Sequence, residues 1–146
     1  METQSVKRLL TTLINRLRAL GAKKAERAVA AEGSFICSVC PKEAGRLMLL
    51  GNAFAPQLSR HSFTSAMVVG VAADQFEDVR RAIDMRDAKA LYALDLEYAP
   101  FFCPRCNAVY CGAHWVKWDV FDDDNPRYHD SVRGRCPSGH ERMLED

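Results

Sequence analysis

The amino-acid sequence predicts a small α+β protein that is stabilised in part by bound metal. Three observations lead to this prediction. Six cysteines and two of the four histidines form closely spaced pairs, the first 32 residues show a helical period, and residues 41–100 mix strand-like and helical segments. A chain of 146 residues with 48% hydrophobic content is long enough for one domain with its own core, or for a small core joined to a metal-stabilised module.

Residues 1–32 are predicted to form an N-terminal amphipathic helical arm. Apolar residues recur at intervals of three and four from Val6 to Leu20, and a second helical stretch follows over residues 22–31. The arm is basic, with seven Lys/Arg against three Asp/Glu. We expect its apolar stripe to pack on the protein's own core. A homodimer through this helix is the alternative, although two heptads rarely suffice for a coiled coil.

Residues 41–100 are predicted to form an α/β segment. Apolar runs indicate strands at Arg46–Leu50 and Ser65–Val71. Asp74 is predicted as the N-cap of a helix that runs to Ile83 or Met85, and a further helix is expected from Asp87 to Leu96.

The metal prediction rests on four pairs of ligand residues. A short turn with two cysteines, or with one cysteine and one histidine, supplies two of the four tetrahedral ligands that zinc prefers, so four pairs predict two structural zinc ions. A single such pair could be redox-active, but these pairs leave no cysteine unused. Disulfides are not expected in a chain without an export signal. The pairs are Cys37 with Cys40, Cys103 with Cys106, Cys111 with His114, and Cys136 with His140.

The spacing of the pairs does not decide which pairs share an ion. In a sequential arrangement, the first and second pairs bind one ion and the third and fourth bind the other. In an interleaved arrangement, the first and third pairs share one ion and the second and fourth share the other. Only four residues separate Cys106 from Cys111, and this link fits either arrangement. His129 could also replace His140 as a ligand.

The residues that flank the ligands resemble those of the RING finger, an interleaved "cross-brace" zinc module known from ubiquitin ligases. Val39 precedes the second ligand, Tyr110 precedes the fifth, Trp118 lies four positions after the sixth, and Pro137 follows the seventh. The chain departs from the usual RING pattern in the 62 residues between the second and third ligands and in its last ligand, which is a histidine.

The resemblance implies a cross-brace fold and an interleaved ligand set. The RING-like module would comprise residues 33–40 and 101–146, with residues 41–100 as an insertion. One zinc ion would be bound by Cys37, Cys40, Cys111 and His114, and the second by Cys103, Cys106, Cys136 and His140.

The resemblance also implies a function in ubiquitin-like conjugation. RING-type E3 ligases bind an E2 conjugating enzyme charged with a ubiquitin-like protein and promote transfer by positioning, without a covalent intermediate. By this analogy Val39, Pro41, Trp118 and Pro137 would form the partner groove, and Arg142 would be the arginine that bonds both the enzyme and ubiquitin. Small proteins of this kind are similar to those of bacterial conjugation operons linked to antiphage defence.

Two other classes of function compete with this interpretation. One is a zinc-ribbon or treble-clef module that binds nucleic acid through the basic arm, and the other is a protein scaffold. A net charge of +1 and an acidic metal-binding region count against nucleic acid. An enzyme with its own active site is not expected, because all thiols are committed to metal. No apolar run reaches the roughly 18 residues needed to cross a bilayer, so we expect a cytoplasmic protein without a membrane segment.

Overall fold

The computed structural model describes residues 28–146. Most of the predicted N-terminal arm, and with it the predicted helical homodimer contact, lies outside the described residues. The part described is an α+β fold, and none of its helices is long and apolar enough to cross a bilayer. Its strands are β1 (Val29–Ile36), β2 (Glu43–Leu50), β3 (Gln57–Ser62), β4 (Ala66–Gly70), β5 (Phe102–Cys103), β6 (Ala108–Val109), β7 (Val116–Phe121), β8 (His129–Arg135) and β9 (Glu141–Glu145). Its α-helices are α1 (Phe76–Asp84) and α2 (Ala88–Leu94), and short 3-10 turns lie at Ala73–Gln75 and Leu96–Tyr98.

The first four strands form one antiparallel sheet in the order β1-β2-β3-β4. Alternate residues point to opposite faces, so Phe35, Leu47, Leu49 and Leu58 lie together on the buried face. The other face carries polar and apolar side chains in contact with solvent. The predicted strands at residues 46–50 and 65–71 correspond to β2 and β4.

Helix α1 covers the buried face of this sheet. Phe76, Val79 and Ile83 recur at helical spacing and are buried, and α1 contacts β1 and β2. The prediction that Asp74 is the N-cap is wrong: it lies in the preceding 3-10 turn, and the helix begins after Gln75 without a side-chain cap. Asp87 does cap α2, because its carboxylate accepts a hydrogen bond of 2.9 Å from the Ala90 amide.

Strand β1 begins inside the segment predicted to be helical. Val29 pairs with Leu50 and Ala31 with Leu49, so the predicted helix over residues 22–31 is wrong at its last residues. Alanine favours a helix, but hydrogen bonding to β2 and burial of Ala31 outweigh that local preference. The boundary predicted for the arm at residue 32 is therefore wrong, because residues 29–32 belong to β1.

The first sheet and the strands that follow residue 101 share one hydrophobic core. Strands β5 and β6 form a short hairpin, and β7, β8 and β9 form an antiparallel sheet in that order. Phe101 is buried between the two halves and stacks on Phe35, with ring centroids 5.0 Å apart. Its carbonyl oxygen accepts a hydrogen bond of 3.3 Å from Nε1 of Trp115. Residues 41–100 therefore do not form a separate insertion, and the predicted boundary at residue 40 crosses the β1–β2 hairpin.

A buried ion pair also joins the two halves. The Arg60 side chain on β3 is fully buried, and its guanidinium pairs with the Glu145 carboxylate on β9. Thr64 and Ser65 donate hydroxyl hydrogen bonds to the same carboxylate oxygen. The last strand is thereby attached to the β3–β4 end of the first sheet.

Candidate metal centres

The first two ligand pairs lie in hairpin turns. Cys37 and Cys40 lie in the β1–β2 turn, which is closed by a 2.9 Å hydrogen bond from the Cys37 amide to the Lys42 carbonyl. Cys103 and Cys106 lie in the β5–β6 hairpin, where Asn107 has a positive φ of 52°. A 2.7 Å hydrogen bond from the Ser38 amide to the Val109 carbonyl links the first turn to β6.

The third and fourth pairs also lie in tight turns. The His114 amide donates a 2.9 Å hydrogen bond to the Cys111 carbonyl, just before β7. The Cys136 amide donates a 3.0 Å bond to the His140 carbonyl in the β8–β9 turn. Gly139 in that turn has a φ of 85°, a conformation that glycine adopts at low cost.

The four pairs meet in two clusters of three cysteines and one histidine. In each cluster the potential ligand atoms all lie within 4.8 Å of one another. The first and third pairs share one cluster and the second and fourth share the other, so the grouping is interleaved along the chain. Cluster 1 contains Cys37, Cys40, Cys111 and His114, and cluster 2 contains Cys103, Cys106, Cys136 and His140.

The distances within the clusters fit tetrahedral coordination of an ion. An ion about 2.3 Å from sulfur and about 2.0–2.1 Å from nitrogen places two sulfurs about 3.8 Å apart, and a sulfur and a nitrogen about 3.6 Å apart. In cluster 1, Sγ of Cys40 is 3.6 Å from Sγ of Cys111, and Sγ of Cys37 is 3.4 Å from Nδ1 of His114. In cluster 2, Sγ of Cys106 is 3.7 Å from Sγ of Cys136. Each cluster could therefore hold one metal ion, with its histidine binding through Nδ1.

One thiol in each cluster has a lowered pKa. Burial raises the pKa of Cys37, but amide hydrogen bonds from Val39, Cys111 and Cys40 outweigh this effect and bring the pKa to about 6. In the second cluster, hydrogen bonds from the side chains of Ser138 and Tyr110 lower the pKa of the Cys106 thiol to about 6. Each cluster thus offers a thiolate at neutral pH, the form that binds metal.

A second thiol of cluster 2 has a raised pKa. Burial raises the pKa of Cys103 to about 11. Binding of a metal ion must therefore displace a proton from this thiol, so acid should favour release of the ion.

The hydroxyl contacts of Ser138 and Tyr110 were not predicted from the sequence. Tyr110 stands out only as an aromatic neighbour of a ligand, and Ser138 only as a residue between two ligands. A hydroxyl within a ligand turn is the signal that could have identified Ser138. His129 is exposed on β8 and lies 3.1 Å from Asp119, and it belongs to neither cluster.

The predicted partner residues lie at separate places around the clusters. Val39 and Pro41 flank Cys40 in the first turn, and both are exposed, Val39 by 58%. Pro137 is exposed in the β8–β9 turn. Trp118 lies on β7 and is partly buried, with the guanidinium of Arg135 5.9 Å from the centre of its ring.

Arg142, the predicted partner-binding arginine, makes its contacts within the fold. Its guanidinium lies 4.8 Å from the centre of the Tyr92 ring. Burial lowers the pKa of Arg142 to about 10, which leaves the side chain charged at neutral pH. Its nitrogens donate hydrogen bonds to the backbone carbonyls of Leu96, Ala99, Phe102 and Met143. The guanidinium nitrogens are therefore bonded within the fold.

The fold and the clusters define an α+β protein with two candidate metal centres of identical ligand composition. The chain belongs to the family described as "Domain of unknown function (DUF8328)", whose profile matches residues 26–146. No curated protein and no solved structure was found to match the chain.

Proposed function

We propose that each cluster binds one structural zinc ion. Tetrahedral sites rich in thiolate select zinc or iron–sulfur clusters, and three cysteines with one histidine are a common structural zinc set. Four protein ligands leave no open position for a substrate or an activated water, so the ions stabilise the turns and take no part in chemistry. Native mass spectrometry of the purified protein should show two zinc ions per chain. One ion, or an iron–sulfur chromophore, would refute this assignment.

We further propose that the chain is a RING-like adaptor that binds an E2 conjugating enzyme. The observation that carries this proposal is the interleaved grouping of the ligand pairs, the order that cross-brace modules use. The exposed Val39 and Pro41 beside cluster 1, and the exposed Pro137 beside cluster 2, supply apolar surface of the kind that partner proteins cover.

The contacts of Arg142 favour binding over strong stimulation of transfer. A RING-type ligase that relies on an arginine to bond both the enzyme and ubiquitin needs a free guanidinium, and that of Arg142 is bonded to backbone carbonyls. The proposed adaptor therefore captures the charged enzyme. Any acceleration of transfer comes from holding that enzyme in a reactive pose.

The proposal is tested with a panel of E2 enzymes charged with ubiquitin or a ubiquitin-like protein. Binding is measured by calorimetry, and discharge of the thioester is followed with free lysine as acceptor. Val39→Arg and Trp118→Ala should each weaken binding at least tenfold. The control is Phe54→Arg, because Phe54 is 94% exposed in the β2–β3 connection, at the opposite end of the first sheet from Val39.

Four results are possible, and they separate the candidates. Binding with faster discharge supports a ligase, and binding without it supports a scaffold. Binding that neither Val39→Arg nor Trp118→Ala weakens would refute the RING-like surface, as would the absence of binding to every E2 tested.

A further inference from the structure

Strand β4 is an outer strand whose free edge carries no charge. Among the strands of residues 28–146, in the order β1-β2-β3-β4, it has a neighbour on one side only. Folded proteins usually protect such edges with charged residues, proline or bulges, because an open edge can pair with another strand. The whole stretch from residue 62 to residue 73 contains no Asp, Glu, Lys, Arg or Pro.

The other outer strands of the two larger sheets differ from β4 in this respect. Within residues 28–146, β1 contains Glu32, β7 contains Lys117 and Asp119, and β9 contains Glu141. The sequence of β4, Ala-Met-Val-Val-Gly, contains no charged residue. The strand also exposes apolar surface, since Met67 is 38% and Val68 56% accessible.

The hydrogen bonds to β3 show which backbone groups face the free edge. The Ser62 amide donates a 3.0 Å hydrogen bond to the Ser65 carbonyl, and the Val71 amide donates a 3.2 Å hydrogen bond to the Pro56 carbonyl. In an antiparallel ladder this fixes the odd-numbered residues of β4 as those bonded to β3. The amides and carbonyls of the even-numbered residues, Ala66, Val68 and Gly70, therefore point away from the sheet.

Most of these outward groups have no hydrogen-bond partner in the described part of the chain. The Gly70 carbonyl accepts a 3.4 Å bond from the Tyr98 hydroxyl. The backbone groups of Ala66 and Val68 are exposed and make no bond to any described residue. They form the alternating pattern of donors and acceptors that an added strand requires.

We propose that β4 pairs with β4 of a second copy of this chain, antiparallel and about a two-fold axis at Val68. This register places Val68 opposite its own symmetry copy and Ala66 opposite Gly70, so that outward donors meet outward acceptors along the strand. On the buried side of the sheet, Met67 of one copy lies opposite Val69 of the other. Two four-stranded sheets thereby become one continuous eight-stranded sheet.

The absence of charge is the reason that a second copy fits this edge. When a strand pairs with its own copy about a two-fold axis, a charged side chain near the axis lies close to the same side chain of the other copy. Like charges placed opposite one another are destabilising. Strand β4 has no such charges. The paired surface is small, because five residues cover less than the roughly 800 Å² per partner of a stable complex. The dimer is therefore weak and depends on concentration.

The test combines sedimentation with amide hydrogen exchange on the full chain. Between about 5 and about 500 µM the protein should pass from monomer towards dimer. The amides of Ala66, Val68 and Gly70 should gain protection over the same range. The amides of Met67 and Val69 face β3 and should be protected throughout.

Two variants at one position identify the contact. Val68→Lys brings two positive charges together at the axis, and Val68→Pro removes an outward amide that the fold itself does not use. Both should remain monomeric with unchanged thermal unfolding. Val116→Lys is the matched control on a different strand and should dimerise as the wild type does.

Other outcomes would overturn the proposal. A wild type that stays monomeric at all concentrations contradicts it. A dimer that both Val68 variants retain would show that the contact lies elsewhere, for example in the N-terminal arm. Concentration-dependent protection at β1 or β7 without any at β4 would exclude this edge.

Discussion

Replacing Arg142 with methionine tests whether this side chain holds the fold together or serves a partner. Methionine keeps much of the length and apolar stem but removes every hydrogen-bond donor. In the native protein these donors reach the carbonyls of Leu96, Ala99 and Phe102, just before the first ligand pair of cluster 2, and the carbonyl of the neighbouring Met143. The variant leaves these carbonyls without their partner.

The magnitude follows from the number of bonds lost. A typical intramolecular hydrogen bond contributes about 1 kcal/mol net, and bonds to charged groups contribute more. Four lost bonds to carbonyls therefore cost about 4 kcal/mol, and the lost contact with the Tyr92 ring adds about 0.5–1 kcal/mol. A domain of this size changes its melting temperature by roughly 3–5 °C per kcal/mol. The variant should melt at least about 10 °C below the wild type.

The assay is thermal unfolding followed by circular dichroism at a fixed zinc concentration. Arg133→Met on β8 is the control, because Arg133 is exposed and its loss should shift the midpoint by no more than about 2 °C. Arg142→Lys should also be destabilised, since an ammonium group cannot reach the same carbonyls in the fork geometry of arginine. A variant Arg142→Met that melts with the wild type, yet fails to promote thioester discharge, would refute the structural role and restore the partner role.

Three further predictions follow from the contacts between and around the clusters. Glu145→Ala leaves the Arg60 guanidinium buried without its carboxylate, and the free energy of unfolding in urea should fall by about 3–5 kcal/mol. Tyr110→Phe removes a hydroxyl that lowers the pKa of a cluster 2 thiol, so that pKa should rise. Metal uptake should then have its midpoint at higher pH, and chelator competition at pH 7 should show roughly tenfold weaker binding at one of the two sites. Gly45→Ala would place a Cβ 2.4 Å from the Phe101 ring, and the melting curve should show a loss of about 1–3 kcal/mol.

Each of these predictions has a matched control. Glu77→Ala removes an exposed carboxylate on α1 and should change the unfolding free energy by less than about 0.5 kcal/mol. Tyr128→Phe removes an exposed hydroxyl and should leave metal binding unchanged. Gly70→Ala meets no atom within 4 Å and should cost far less than Gly45→Ala. Equal effects within any of these pairs would contradict the corresponding argument.

The features that were predicted correctly from the sequence depend on residues close together along the chain. The ligand pairs could be predicted because each pair lies within one turn, and α1 and α2 could be predicted from local signals near their starts, at Asp74 and Asp87. Spacing alone could not show that Cys37 meets Cys111, because that grouping depends on how β1 and β6 approach through the contact of Ser38 with Val109.

Long-range contacts account for the errors. The strand at Val29 was read as helix because its local composition favours helix, while its pairing with β2 is a tertiary effect. Arg142 was predicted to bind a partner because its position two residues after the last ligand is visible in the sequence, whereas its contacts within the fold are not. The carbonyls that bind it come from residues 96 to 102, about 40 positions earlier, and are not visible there.

The interleaved grouping of the ligand pairs is the central claim, and paired substitutions test it most directly. Cys37→Ser with Cys111→Ser removes two ligands from cluster 1 and none from cluster 2. Cys37→Ser with Cys103→Ser removes one ligand from each cluster. In a sequential arrangement the consequences are exchanged, because Cys37 and Cys103 would then share an ion.

Native mass spectrometry during titration with a chelator distinguishes the two arrangements. The interleaved grouping predicts that the Cys37/Cys111 variant holds a single zinc ion that resists the chelator as in the wild type. It also predicts that the Cys37/Cys103 variant releases both of its ions more readily than the wild type does. The reverse result, with one resistant ion in the Cys37/Cys103 variant and two weakened sites in the Cys37/Cys111 variant, would contradict the account.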